Sequence, residues 1–161
     1  MKRGERFVWG LIGILLAVAL GRLLLQRQDV RQGEIPFYST APHNVAQAAS
    51  DLFRKYHCQD CHSLWAVRDM FQNVPAPMLD GIGSLHSEAW LYDYLSAPVP
   101  QAILPSRLKL EYRMPSYAGL PEGERRLMAQ YLASLKVKDW YFEDTKKAEY
   151  EILTGKDYPS K

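Results

Sequence analysis

The chain is poor in cysteine, in net charge and in repeats. It has only two cysteines, Cys58 and Cys61, with two residues between them. A loop that short would staple little as a disulfide. No second thiol pair exists to complete the four-ligand set of a structural zinc site. A thioredoxin-like redox pair sits near a βαβ pattern, and no stretch here reads as a strand. The formal net charge is +2, so the electrostatic footprint of a nucleic-acid binder is missing. No internal repeat or low-complexity tract breaks the 161 residues, a length that suits one modest domain with extensions.

What is present begins with an apolar N-terminus. Phe7 to Leu20 carries no charge, and Leu23 to Leu25 resumes the run after Gly21-Arg22. As a helix, the nineteen residues Phe7 to Leu25 would extend about 28 Å, close to bilayer hydrocarbon thickness. Arg22 would reach the headgroups on its long stem. The reading is a single transmembrane anchor over residues 1–25. The alternative is a cleaved signal peptide, with Val8 to Leu16 as its apolar stretch and Ala17-Val18-Ala19 as its cleavage site. Lys2, Arg3 and Arg6 before the run balance Arg22, Arg27 and Arg31 after its start, so charge alone sets no orientation. Residues 26–43 are polar, contain Pro36 and Pro42, and read as a linker or as a segment lying on a neighbouring subunit.

From Asn44, a plausible N-cap, the pattern turns helical, with Val45, Ala48, Ala49, Leu52, Phe53 and Tyr56 on one face. Ser87 reads as the N-cap of a second helix bearing Trp90, Leu91, Tyr94 and Leu95, stopped by Pro98 and Pro100. A third begins at Pro121 and carries Leu127, Met128, Tyr131, Leu132 and Leu135. The domain expected over 44–136 is all-α. Its two long irregular stretches, Val74 to Gly83 and Val99 to Ala118, make sense only if something other than side chains fills the middle.

Cys58-Gln59-Asp60-Cys61-His62 names the filler, because Cys-x-x-Cys-His is the attachment motif of haem c. Two thiols add to the two vinyl groups on one porphyrin edge, and the next histidine projects under the iron. One covalent haem c is expected, with His62 as an axial ligand. Met114, in Arg113-Met114-Pro115, is the expected second ligand. Met70 and Met78 stand too near His62, and Met128 keeps core spacing. His86 reads as surface just before the Ser87 helix, with a bis-histidine site as the alternative, while His43 and His57 read as solvated surface.

Over residues 46–136 the chain resembles the class I cytochromes c, in particular their bacterial membrane-anchored members. Phe53, five residues before Cys58, matches the aromatic of the family's first helix, and Tyr131-Leu132 matches the Tyr-Leu of its last. Ala49 stands where many members carry glycine at the helix crossing. Pro77-Met78-Leu79-Asp80-Gly81-Ile82-Gly83 is similar to the family's Gly-Pro-x-Leu-x-Gly-x-Gly stretch, with Ala76 in place of the first glycine. The resemblance implies that the Pro77 carbonyl accepts a hydrogen bond from His62. Trp90-Leu91-x-x-Tyr94-Leu95-x-x-Pro98 matches the helix before the methionine loop, and the resemblance makes Trp90 a partner of a haem propionate.

With both axial positions filled, the resemblance implies one-electron transfer and no catalysis by the chain alone. It further implies a bacterial inner-membrane location, with the N-terminus cytoplasmic and the haem domain periplasmic. The expected partners are the other subunits of a membrane redox complex, such as an oxidase, a nitric oxide reductase or a quinol-oxidising bc-type complex, and a soluble electron carrier. Arg107, Lys109 and Arg113 are expected either to face an acidic partner or to lie on a solvated loop, and the aromatic-rich tail over 137–161 to pack on a partner subunit. A haem sensor and a non-haem Cys-x-x-Cys thiol oxidoreductase are the competing functions.

Overall fold

The computed structural model describes residues 9–10, 12–22, 34–65, 74 and 76–159. The chain divides into two units, Met1–Ile35 and Pro36–Lys161.

In the first unit the described helix runs over residues 12–22, with 9–10 also helical. Among the described residues, no helix is long and apolar enough to cross a membrane. This corrects the transmembrane anchor expected over 1–25, and with it the single-pass inner-membrane location with a cytoplasmic N-terminus and periplasmic domain. Phe7, Val8, Leu11 and Leu23 to Leu25, on which the expected span depended, lie outside the described residues.

The second unit is mostly helical, with one small sheet. In order it contains β1 (Phe37–Ser39), α1 (His43–Lys55), α2 (Ile82–Leu85), α3 (Glu88–Ser96), α4 (Glu122–Ser134), β2 (Leu135–Val137) and α5 (Phe142–Thr154). Single 3₁₀ turns cover Cys58–Asp60, Pro100–Ala102, Leu110–Tyr112 and Asp139–Tyr141.

The core forms where α1 crosses α4. Ala49 and Ala129 are wholly buried there, so the two backbones approach closely. Phe53 meets Tyr131 edge to face at 5.9 Å between ring centroids, the geometry aromatic quadrupoles favour. Leu91 and Leu95 of α3 pack into the same cluster with Met128, Leu132 and Leu135. Of the apolar stripes read from the sequence, Ala49, Phe53, Leu91, Leu95, Met128, Tyr131, Leu132 and Leu135 are buried, whereas Ala48 is exposed. The helix starts differ slightly. α1 begins at His43, and the Pro42 carbonyl, rather than an Asn44 side chain, accepts the Ala46 amide at 3.0 Å. Pro121 stands one residue before α4, while Ser87 caps α3 as expected, its hydroxyl accepting from the Trp90 amide.

The sheet was not foreseen. β1 pairs antiparallel with β2 in the register Phe37–Val137, Tyr38–Lys136 and Ser39–Leu135. The Thr40 amide and the Ser39 hydroxyl continue the pairing onto Ser134. Two three-residue strands show no period in the sequence, because their partners lie nearly a hundred residues apart. Within the stretch read as a linker, residues 34–43 thus include a strand of the domain itself, and 26–33 lie outside the described residues.

Two glycines permit the close packing of α2. Gly81 holds φ +81°, a left-handed conformation, as it turns the chain into the helix. A Cβ on Gly83 would lie 2.7 Å from the Leu132 carbonyl oxygen and closer still to that of Ala133. These are backbone atoms of α4 and cannot rotate away. Gly83→Ala is therefore expected to cost about 2–3 kcal/mol, as overpacked cores do, and to lower the thermal midpoint by roughly 8–12 °C. A circular-dichroism melt within 2 °C of the parent would mean that this contact is looser than the geometry requires.

Candidate haem site

α1 ends at Tyr56, and His57 takes a left-handed conformation (φ 56°) that swings the chain into the 3₁₀ turn. The Cys58 carbonyl accepts the Cys61 amide at 3.4 Å and the His62 amide at 2.9 Å. One turn therefore presents both thiols and the imidazole to the same side, as the motif requires.

The segment after His62 is pinned to the turn ahead of α2. Leu79 donates its amide to the Ser63 carbonyl at 3.0 Å, and the buried Asp80 carboxylate accepts the Trp65 amide at 2.6 Å. His62 Nδ1 lies 2.8 Å from the Pro77 carbonyl oxygen. A carbonyl only accepts, so Nδ1 carries the proton and the Nε2 lone pair is left for a metal. Burial pushes the His62 imidazole below its ordinary protonation range, against the pull of that carbonyl, and keeps it in the neutral form a ligand needs.

Burial also raises both thiols above the ordinary cysteine value. At Cys58 a hydrogen bond from Tyr117 partly opposes this, and at Cys61 the Asp60 charge adds to it. A thiol nucleophile needs the opposite shift.

The Met114 loop is held from both sides. Gln101 Nε2 donates to the Met114 carbonyl at 2.8 Å, and Ser116 Oγ to the Ala97 carbonyl at 2.9 Å. Arg113 is tied through Nε to the Leu108 carbonyl at 2.7 Å.

These pieces converge on one cavity of about 420 Å³, within the range of cofactor sites. Cys58, Cys61, His62, Pro77, Trp90 and Met114, the six site residues read from the sequence, all line it. Leu79, Ile82, Leu91, Leu95 and Leu132 make most of the wall apolar. Of the other methionines, Met128 is 2% exposed in the core, Met78 is 40% exposed, and Met70 lies outside the described residues. His43 and His57 are exposed, as expected. Trp90 stacks on Tyr94 at 5.3 Å and under His86 at 3.9 Å.

His86 is not the surface residue expected. Its Nε2 lies 2.8 Å from Glu149 Oε1, and both side chains are only 19% exposed. Glu149 and Leu153 bring the tail helix α5 into the cavity wall. The tail thus contacts its own domain, with Arg107 Nη2 donating to the Ile152 carbonyl at 3.0 Å and Tyr141 meeting Phe37 edge to face at 5.5 Å. Two of the three cations expected to face an acidic partner, Arg107 and Arg113, bond to this chain's own carbonyls. Glu149 had no sequence signal: it is one acid in a mixed-charge helix, 63 residues from the histidine it meets.

The residues present fit a covalently attached haem. Two thiols stand on one turn at one end, a neutral imidazole offers a free Nε2, and a thioether and an apolar wall share the space. Among the described residues, no group of three or more His, Cys, Asp or Glu is placed to hold a bare metal ion. A porphyrin brings its own equatorial donors and asks only for axial ones. Comparison with known protein families, with curated proteins and with solved structures finds no match to this chain.

Proposed function

We propose that the Pro36–Lys161 unit is a class I c-type cytochrome that binds one haem c and works as an electron-carrier subunit of a redox complex. The observation that carries this reading is the convergence of Cys58, Cys61, His62 and Met114 on one cavity, with His62 Nδ1 engaged by Pro77 and Nε2 left free. Cys58 and Cys61 would hold the group by thioether bonds, and His62 and Met114 would ligate its iron. Bound there, the haem supplies one-electron exchange at a potential that methionine ligation and burial raise.

The remaining work belongs to the chain. Pro77 orients His62 and fixes its tautomer. Gln101 and Ser116 hold the Met114 loop. The aliphatic wall excludes water, which lowers the cost of reorganisation when charge changes. The Glu149 bond occupies His86, which favours Met114 over a bis-histidine set. Filled axial positions leave no place for a substrate, so the unit passes electrons and converts nothing by itself. The raised thiols weigh against a thiol oxidoreductase.

The test is a redox-difference spectrum with a pyridine haemochrome assay on the full-length protein, produced in a host that loads a control c-type cytochrome. One covalent haem per chain is expected, and Cys58→Ala with Cys61→Ala should abolish covalent retention under denaturing conditions. Folded full-length protein without haem from that host would end the proposal.

A further inference from the structure

The tail helix contributes Glu149, one half of an ionisable pair with His86, to a cavity whose charge changes in the proposed function. His86 Nε2 and Glu149 Oε1 are 2.8 Å apart, and each side chain is 19% exposed. The pair is buried enough to sense charge in the cavity, yet open enough to exchange protons with solvent. His86 lies face to face with Trp90 at 3.9 Å, with planes 16° apart, and both rings line the cavity.

The other ionisable groups are less suited. His57 and Asp60, at the thiol end, are 78% and 70% exposed, so water screens them. Tyr94 stacks beyond Trp90 on α3, and Glu111 and Arg113 line the wall ahead of Met114. On the side of α2, Lys136 of β2 is bonded to the Gly83 carbonyl, and α4 presents the apolar Met128 and Leu132.

We infer that His86 and Glu149 form a proton-binding site coupled to the electron carried in the cavity. The inference rests on the haem reading above. One electron arrives from a one-electron donor protein and lowers the positive charge at the iron by one. One proton from solvent adds to the neutral His86 ring, which becomes an imidazolium facing the Glu149 carboxylate. Oxidation by an acceptor returns the electron and releases the proton. Glu149 is a positioning residue here: it holds the ring on the Trp90 stack and stabilises its charged form.

The experiment is a potentiometric titration of the haem-loaded full-length protein at a series of pH values from 5 to 8, the range in which an imidazole changes charge. The midpoint should fall as pH rises. Its slope should approach a tenfold change in the reduction equilibrium per pH unit, about 59 mV. His86→Asn should flatten the profile, and Glu149→Gln should move the sloping region to lower pH. By NMR, the His86 ring should titrate at higher pH in the reduced protein than in the oxidised protein. A His86→Asn profile matching the parent would overturn the inference and assign the proton to another group, such as a haem carboxylate. If that variant does not accumulate, identical His86 titration in both oxidation states would overturn it equally. Protein without any haem signal fails the haem reading itself, whereas haem-loaded protein with a flat profile fails only this inference.

Discussion

Met114→Ala is expected to leave the haem attached and to open its sixth position. Cys58, Cys61 and His62 stand on a separate turn and do not need the loop that Gln101 and Ser116 hold. The reduced variant should bind carbon monoxide, which the parent should resist, and the near-infrared methionine–iron band should vanish. Loss of the thioether should lower the potential by on the order of 0.1 V or more, a fraction of the roughly 0.8 V range that axial ligands span. An unchanged near-infrared band would move the ligand to another methionine, whereas its absence from the parent protein would point to His86.

Phe53→Ala should be the most damaging change outside the thiol turn. Phe53 is 2% exposed and meets Tyr131 edge to face where α1 crosses α4. Removing a buried ring costs about 3–5 kcal/mol, a large share of the roughly 5–15 kcal/mol that holds a domain folded. The neighbours Ala49 and Ala129 are too small to fill the space. α1 also delivers the chain to Cys58, so haem content per chain should fall along with the denaturant midpoint. A variant with full haem content and a midpoint near that of the parent would mean that the covalent bonds, rather than this crossing, carry the stability.

Local signals made most of the site legible. Cys58-Gln59-Asp60-Cys61-His62 is a contiguous motif whose geometry follows from one helical turn, so its residues reach the cavity together. Pro77 rested on a resemblance and Met114 on its Met-Pro context in an irregular stretch, and both line the cavity. The apolar stripes of α1, α3 and α4 kept helical spacing, which is why the buried faces were readable. The N-terminal run misled for a related reason. Hydropathy counts apolar residues along the chain, and among the described residues no helix is long and apolar enough to cross a membrane.

What the sequence determined by itself was the Cys-x-x-Cys-His motif, on which the proposed attachment rests, and the main helical faces, because each depends on residues within a turn or two of one another. Only the tertiary structure decided the rest. The pairing of β1 with β2, the return of α5 to the cavity wall and the bond from Glu149 to His86 join residues 63 to about a hundred positions apart. No periodicity records such contacts; they exist because the chain must close around the space that its own side chains leave open.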